Sequence, residues 1–68
     1  MSALEIGELI RERRGILRLQ QKDLAELAEV SLRTIIQVEN GEGNPSLNTL
    51  NKLARVLGME VQLSIKTK

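Results

Sequence analysis

Apolar residues recur along the first part of the chain at intervals of three and four. Ile6, Leu9, Ile10, Ile16 and Leu17, with Arg13 on the same row, predict a first helix from about Leu4 to Leu17. Gly15 lies within it and costs some stability relative to Ala. A second helix is predicted over about Gln21 to Ala28, with Leu24, Ala25, Leu27 and Ala28 on or near its inward side. Ser31 is a suitable N-cap for a third helix, whose buried side carries Ile35 and Val38. That helix stops at Asn40-Gly41, since both residue types tolerate the left-handed conformation at a helix end. Gly41-Glu42-Gly43-Asn44-Pro45 reads as a loop. Ser46 then caps a fourth helix with the stripe Leu47, Leu50, Leu53, Ala54 and Leu57, ended by Gly58.

After Gly58 the period changes. Met59, Val61, Leu63 and Ile65 alternate with Glu60, Gln62, Ser64 and Lys66, which predicts a half-buried strand over residues 59–66. The chain offers no second strand, and an isolated one leaves its backbone donors and acceptors unpaired. The cheapest partner is the same strand of another copy, antiparallel across a two-fold axis, with Met59, Val61, Leu63 and Ile65 as the dimerisation residues. A frayed terminus is the alternative.

Composition narrows the possibilities. Sixty-eight residues make one small domain, 1–68, of marginal stability. With no Cys and no His, disulfides and the usual structural metal sites are not expected, which leaves dimerisation as the common supplement. No cofactor is implied. No apolar run approaches a membrane span and no signal-peptide core is visible, so a cytoplasmic protein without membrane partners is the expectation. There is no Phe, Tyr or Trp, which argues against a reader of single-stranded nucleic acid, where bases stack on aromatic rings. No nucleophile is set beside a base, and the chain reads as a non-enzyme. Net charge is only +1, yet Arg11, Arg13, Arg14, Arg18, Lys22 and Arg33 fall in the first half. They could form a phosphate-facing patch, though charge alone favours an ordinary solvated surface with interspersed acids.

The second and third helices are joined by Glu29-Val30-Ser31 alone, a link short enough to force a steep crossing, as in a helix-turn-helix over residues 21–40. Ala25 is small where the two would approach most closely. Leu24, Ala28, Val30, Ile35 and Val38 supply the contacts that lock them. With Ile35 and Val38 inward, Leu32, Arg33, Ile36 and Gln37 turn outward. Arg33 suits guanine and Gln37 suits adenine in a major groove. Leu32 and Ile36 either meet thymine methyl groups there, or pack against protein; Ile36 alternatively completes the core.

The run from Gln21 to Gly41, QKDLAELAEVSLRTIIQVENG, resembles the Xre-type helix-turn-helix family, which includes phage repressors. The likeness continues through Asn44-Pro45-Ser46-Leu47-Asn48-Thr49-Leu50 and Leu57-Gly58, and so covers nearly the whole chain. The alternating segment after the fourth helix is most similar to HipB-like antitoxins and related short repressors. The resemblance implies an all-α, compact four-helix, lambda-repressor-like fold with a short C-terminal β-strand pairing across a homodimer. It implies a transcriptional repressor of pseudo-palindromic double-stranded DNA, with a HipA-like kinase toxin as a further partner. A protein-interaction module that does not read DNA is the alternative. Carried over by position, Gln21 grips a phosphate and braces the recognition helix, Asn40 contacts a phosphate, and Arg14 and Glu39 form a structural ion pair. Lys22 and Ser31 join the expected phosphate contacts.

Three residues depart from the family pattern. Glu29 stands where the turn usually has Gly at positive φ, with strain of roughly 1 kcal/mol or more. Arg18 replaces a frequent Gly after the first helix. Gln20 replaces the common Ser or Thr cap of the second, and Gln caps poorly. A less stable monomer is expected.

Overall fold

The computed structural model describes residues 1–66. Its elements are α1 (Ala3–Ile16), α2 (Gln21–Ala28), α3 (Leu32–Glu39) and α4 (Leu47–Leu57). Three serines begin helices by side-chain capping. Ser2 Oγ accepts from the Glu5 N–H at 3.2 Å, Ser31 Oγ from Thr34 at 3.1 Å and Ser46 Oγ from Thr49 at 3.0 Å. Glu5 answers by accepting the Ser2 N–H at 2.9 Å, and this backbone bond holds its carboxyl below the usual range. Gln20 contributes only its backbone at the start of α2: its N–H donates to Asp23 Oδ2 at 2.8 Å.

All four helices end alike. Arg18, Glu29, Gly41 and Gly58 adopt φ of 58°, 58°, 72° and 70°. The next residue's N–H then turns back to a carbonyl five positions earlier: Leu19 to Arg14, Val30 to Ala25, Glu42 to Gln37 and Met59 to Ala54. At three of these ends that residue is apolar, and Leu19, Val30 and Met59 pack against the core. The turn aims each one inward as it stops the helix.

Helix α1 packs on α3 and α4, and α2 packs on the same two. Between them lie Ile10, Leu24, Ala25, Ala28, Ile35, Val38, Leu53 and Leu57. At Gly7, α1 comes hard against the end of α3. A Cβ there would stand 2.3 Å from the Val38 carbonyl oxygen and 2.7 Å from that of Glu39, so only glycine lets the helices meet at this distance. Several residues on the expected apolar rows lie outside the core: Ile16, Leu17, Leu27 and Leu47 are exposed. Short helices have narrow inward faces, and these side chains fall at their margins.

The expected strand over 59–66 is not formed: no strand occurs among the described residues. Met59 is partly buried on the chain's own core, whereas Leu63 and Ile65 are 100% and 91% exposed. A strand exists through its ladder, and this chain has no second one to provide it.

Glu29→Gly and Arg18→Gly are each expected to raise stability by roughly 0.5–1 kcal/mol, because a side chain at positive φ is relieved. Gly7→Ala is expected to lower it by about 1–3 kcal/mol through overpacking against main chain. Urea unfolding midpoints check both signs.

Candidate nucleic-acid interface

The centre of this region is a buried carboxylate. Glu39, the last residue of α3, is 1% exposed. Arg14 on α1 meets it with two bonds, Nε to Oε2 at 2.6 Å and Nη2 to Oε1 at 3.0 Å. Gln21, the first residue of α2, donates from Nε2 to Oε1 at 3.1 Å. Arg11 brings a further positive charge, Nε lying 3.6 Å from Oε1. Burial pushes the carboxyl's pKa up, but the bonds from Arg14 and Gln21 and the charges of Arg14 and Arg11 outweigh it and hold it below the usual range. Glu39 therefore stays ionised and its charge is met on every side. Arg14 Nη1 also donates to the Leu19 carbonyl at 2.8 Å, tying in the α1–α2 link.

Around this network stand the residues expected at a phosphate backbone. An amide nitrogen has two hydrogens, so Gln21 keeps one beyond the bond to Glu39. Asn40 is exposed, and its Oδ1 accepts from Arg11 Nη2 at 3.2 Å, while the same nitrogen donates to the Glu39 carbonyl at 3.2 Å. That arrangement turns the Asn40 Nδ2 away from Arg11, free to donate. Lys22 is exposed in the first turn of α2. The Ser31 hydroxyl is committed to its cap and to Thr34 Oγ1 at 2.9 Å.

The outward face of α3 is laid open. Leu32 and Ile36 are 45% and 39% exposed, Arg33 is exposed and Gln37 is partly so. Ile36 is not in the core, which removes that alternative. The backbone carbonyl of Gln37 accepts from the Glu42 N–H at 2.8 Å, which ties the end of α3 to the loop that follows.

Two members of the basic cluster are structural. Arg14 serves Glu39, and Arg13 Nε donates to the Leu57 carbonyl at 2.8 Å, where a cation suits the end of α4. Sequence reasoning gave Arg11 no individual role. Its signal was its place three residues before Arg14, hence on the same face of α1. Met59, Val61, Leu63 and Ile65 lie apart from α3, along the groove between α1 and α4 and beyond it.

Residues 10–63 match the helix-turn-helix family model. An uncharacterized HTH-type transcriptional regulator of Methanothermobacter thermautotrophicus is 48% identical over 52 residues, which cover 76% of this chain and 75% of that protein. The HTH-type transcriptional regulator DdrOP3 of Deinococcus deserti is 38% identical over 58 residues, 85% of this chain but only 45% of its own length. Among solved structures, the restriction-modification controller protein C.AhdI from Aeromonas hydrophila superposes with a TM-score of 0.81 at 34% identity, over 85% of this chain and 88% of that one.

Glu39→Ala leaves Arg14 without its partner and is expected to cost about 3–5 kcal/mol. That rivals the whole stability of a domain this small, at roughly 0.05–0.15 kcal/mol per residue. In the native chain the lowered pKa means that the folded state binds fewer protons than the unfolded one just below pH 4.5, the carboxyl's ordinary value. Its contribution is complete above that pH and is lost as pH falls through the folded value. Thermal unfolding followed from pH 7 to pH 3 should show this decline, less steep in Glu39→Gln.

Proposed function

The chain belongs to the helix-turn-helix family, and on that premise we propose that it is a cytoplasmic, sequence-specific regulator of transcription. It binds double-stranded DNA as a homodimer and acts as a repressor at a pseudo-palindromic operator. The observation that carries this reading is the asymmetry of α3. Its inner side is held by Ile35, Val38 and the bonds to Glu39, while Leu32, Arg33, Ile36 and Gln37 face solvent. A rigid helix with one free face suits the major groove. The transcriptional regulators among its relatives support transcription as the process acted on.

In this reading Arg33 and Gln37 read base edges and Leu32 and Ile36 meet thymine methyl groups. Gln21, Lys22 and Asn40 hold the phosphate backbone, while the Ser31 hydroxyl, expected among these contacts, stays with its cap on α3. Arg11 is added to that set, since it orients the Asn40 amide and presents its own charge beside it. Two copies place their α3 helices in successive major grooves about 34 Å apart. The reading needs no HipA-like kinase partner. The alternative, a module that contacts only protein, would use the same Leu32–Ile36 pair as its anchor.

Selection from a random DNA library is expected to return an inverted repeat; enrichment of no sequence would overturn the proposal in favour of the protein-contact module. Within the selected site, Arg33→Ala should relax one base position by roughly 1–3 kcal/mol. Gln21→Ala and Arg11→Met should instead weaken all sequences alike, and Arg11→Met should reduce the salt dependence by about one charge.

A further inference from the structure

We propose that residues 60–66 of two copies pair antiparallel in one particular register, with Leu63 on the two-fold axis and Glu60 facing the partner's Lys66. This rests on the homodimer reading above and adds to it the contact that sets its geometry. Among the described residues, the last backbone bond from the segment to the body of the protein is that of the Met59 N–H to the Ala54 carbonyl, at 2.8 Å. From Glu60 onward the main chain has no backbone partner there, and every side chain is exposed. Its odd positions are apolar and its even ones polar. Residues directly opposite each other across an antiparallel pair share a face. Apolar therefore meets apolar only when the two-fold falls on a residue, not between two.

Three central residues are available. With Gln62 on the axis, Met59 would have to face the partner's Ile65. Met59 has already given its N–H to the end of α4 and packed its side chain on the core, so it is not free to extend a ladder. With Ser64 on the axis, Val61 would face the partner's Thr67 and Gln62 the partner's Lys66, which breaks the apolar face. With Leu63 on the axis, Val61 faces the partner's Ile65, Leu63 meets its own mate, and Gln62 faces the partner's Ser64. Glu60 and Lys66, the oppositely charged residues at the two ends of the segment, then meet twice by symmetry.

The body of the protein offers a seat for this ribbon. A groove of about 440 Å³ lies where α1 and α4 meet residues 59–63, lined by Ile6, Leu9, Leu50 and Ala54 of the helices and by the segment's own Val61 and Leu63 among others. A two-stranded ribbon needs an apolar surface to rest on. In the Leu63 register the partner's Ile65 comes beside Val61, at the open side of that groove. Leu63 and Ile65, almost wholly exposed in one chain, are covered in two.

The chain has no cysteine, so single cysteines report the register cleanly. Under mild oxidation Leu63→Cys is expected to form a covalent dimer about tenfold faster than Gln62→Cys or Ser64→Cys, because only residues directly opposite come within disulfide reach. Faster linking at Gln62 or Ser64 would overturn the register while leaving the homodimer intact. A native chain that sediments as a monomer at every concentration would overturn the homodimer itself. Separately, Glu60→Lys should weaken the dimer about tenfold by setting like charges opposite each other, and adding Lys66→Glu should restore it. A double variant no tighter than the single would count against this pairing.

Discussion

A carboxylate taken out of water at the end of a helix has to be answered, and in this protein the answer organises three helices. Glu39 closes α3; Arg14 reaches it from α1 with two bonds, Gln21 from the start of α2 with one, and Arg11 stands within 3.6 Å. An ion pair of this kind adds little to stability compared with a well-packed apolar replacement, because desolvation offsets much of the attraction. What it adds is geometry. A guanidinium meeting a carboxylate side by side admits few orientations, so the end of α3 is fixed relative to α1 and α2. Gly7 works on the same junction by steric means, bringing α1 against the carbonyls of Val38 and Glu39. One contact fixes direction and the other distance.

The outer face of α3 owes its freedom to that arrangement. A helix of eight residues has few inward positions, and here they are taken by Ile35, Val38 and Glu39. Leu32 and Ile36 are consequently left half-exposed without loosening the fold. The same polar network ends at the surface in two amides, on Gln21 and Asn40, each with one side engaged and donor capacity remaining. Groups held in this way lose little further freedom when they bind, which is the usual advantage of a prepared site.

Much of the fold was legible in the sequence because its signals are local. Serine caps, glycine stops and the spacing of Leu24, Ile35, Val38, Leu53 and Leu57 each depend on neighbours a turn away. The positive φ at Glu29 was foreseen only through family resemblance, since a glutamate carries no sign of it. Gly7 carries no such signal. Its role is the absence of a side chain at a tertiary contact, and hydrophobic patterning is blind to absences. Leu27 and Ile16 erred the other way: apolar residues beside a buried face look the same in sequence as those on it. The segment after Gly58 shows the clearest limit. Its alternation is real, but alternation describes a strand's two faces and not the ladder that creates it, which one chain cannot supply. For Arg11, sequence indicated the charge and not the work, because its bond to Asn40 joins residues 29 positions apart.

The buried network also bears on how fast the protein could find a partner. A count of formal charges makes the chain almost neutral, with ten cations set against nine acids. A molecule approaching from outside does not meet that sum. Glu39 lies inside, clasped by Arg14, and a paired opposite charge projects only a dipole whose field fades quickly with distance. Around the network, the exposed Lys22 and Arg33 stand among the acids Asp23, Glu26 and Glu29, while Arg11 is in excess over the one carboxylate it shares with Arg14. Long-range attraction of a polyanion depends on this local surplus more than on the total. Pairing Glu39 with Arg14 takes one charge of each sign out of that field, so the total stands and what the network itself shows outward is the half-exposed guanidinium of Arg11.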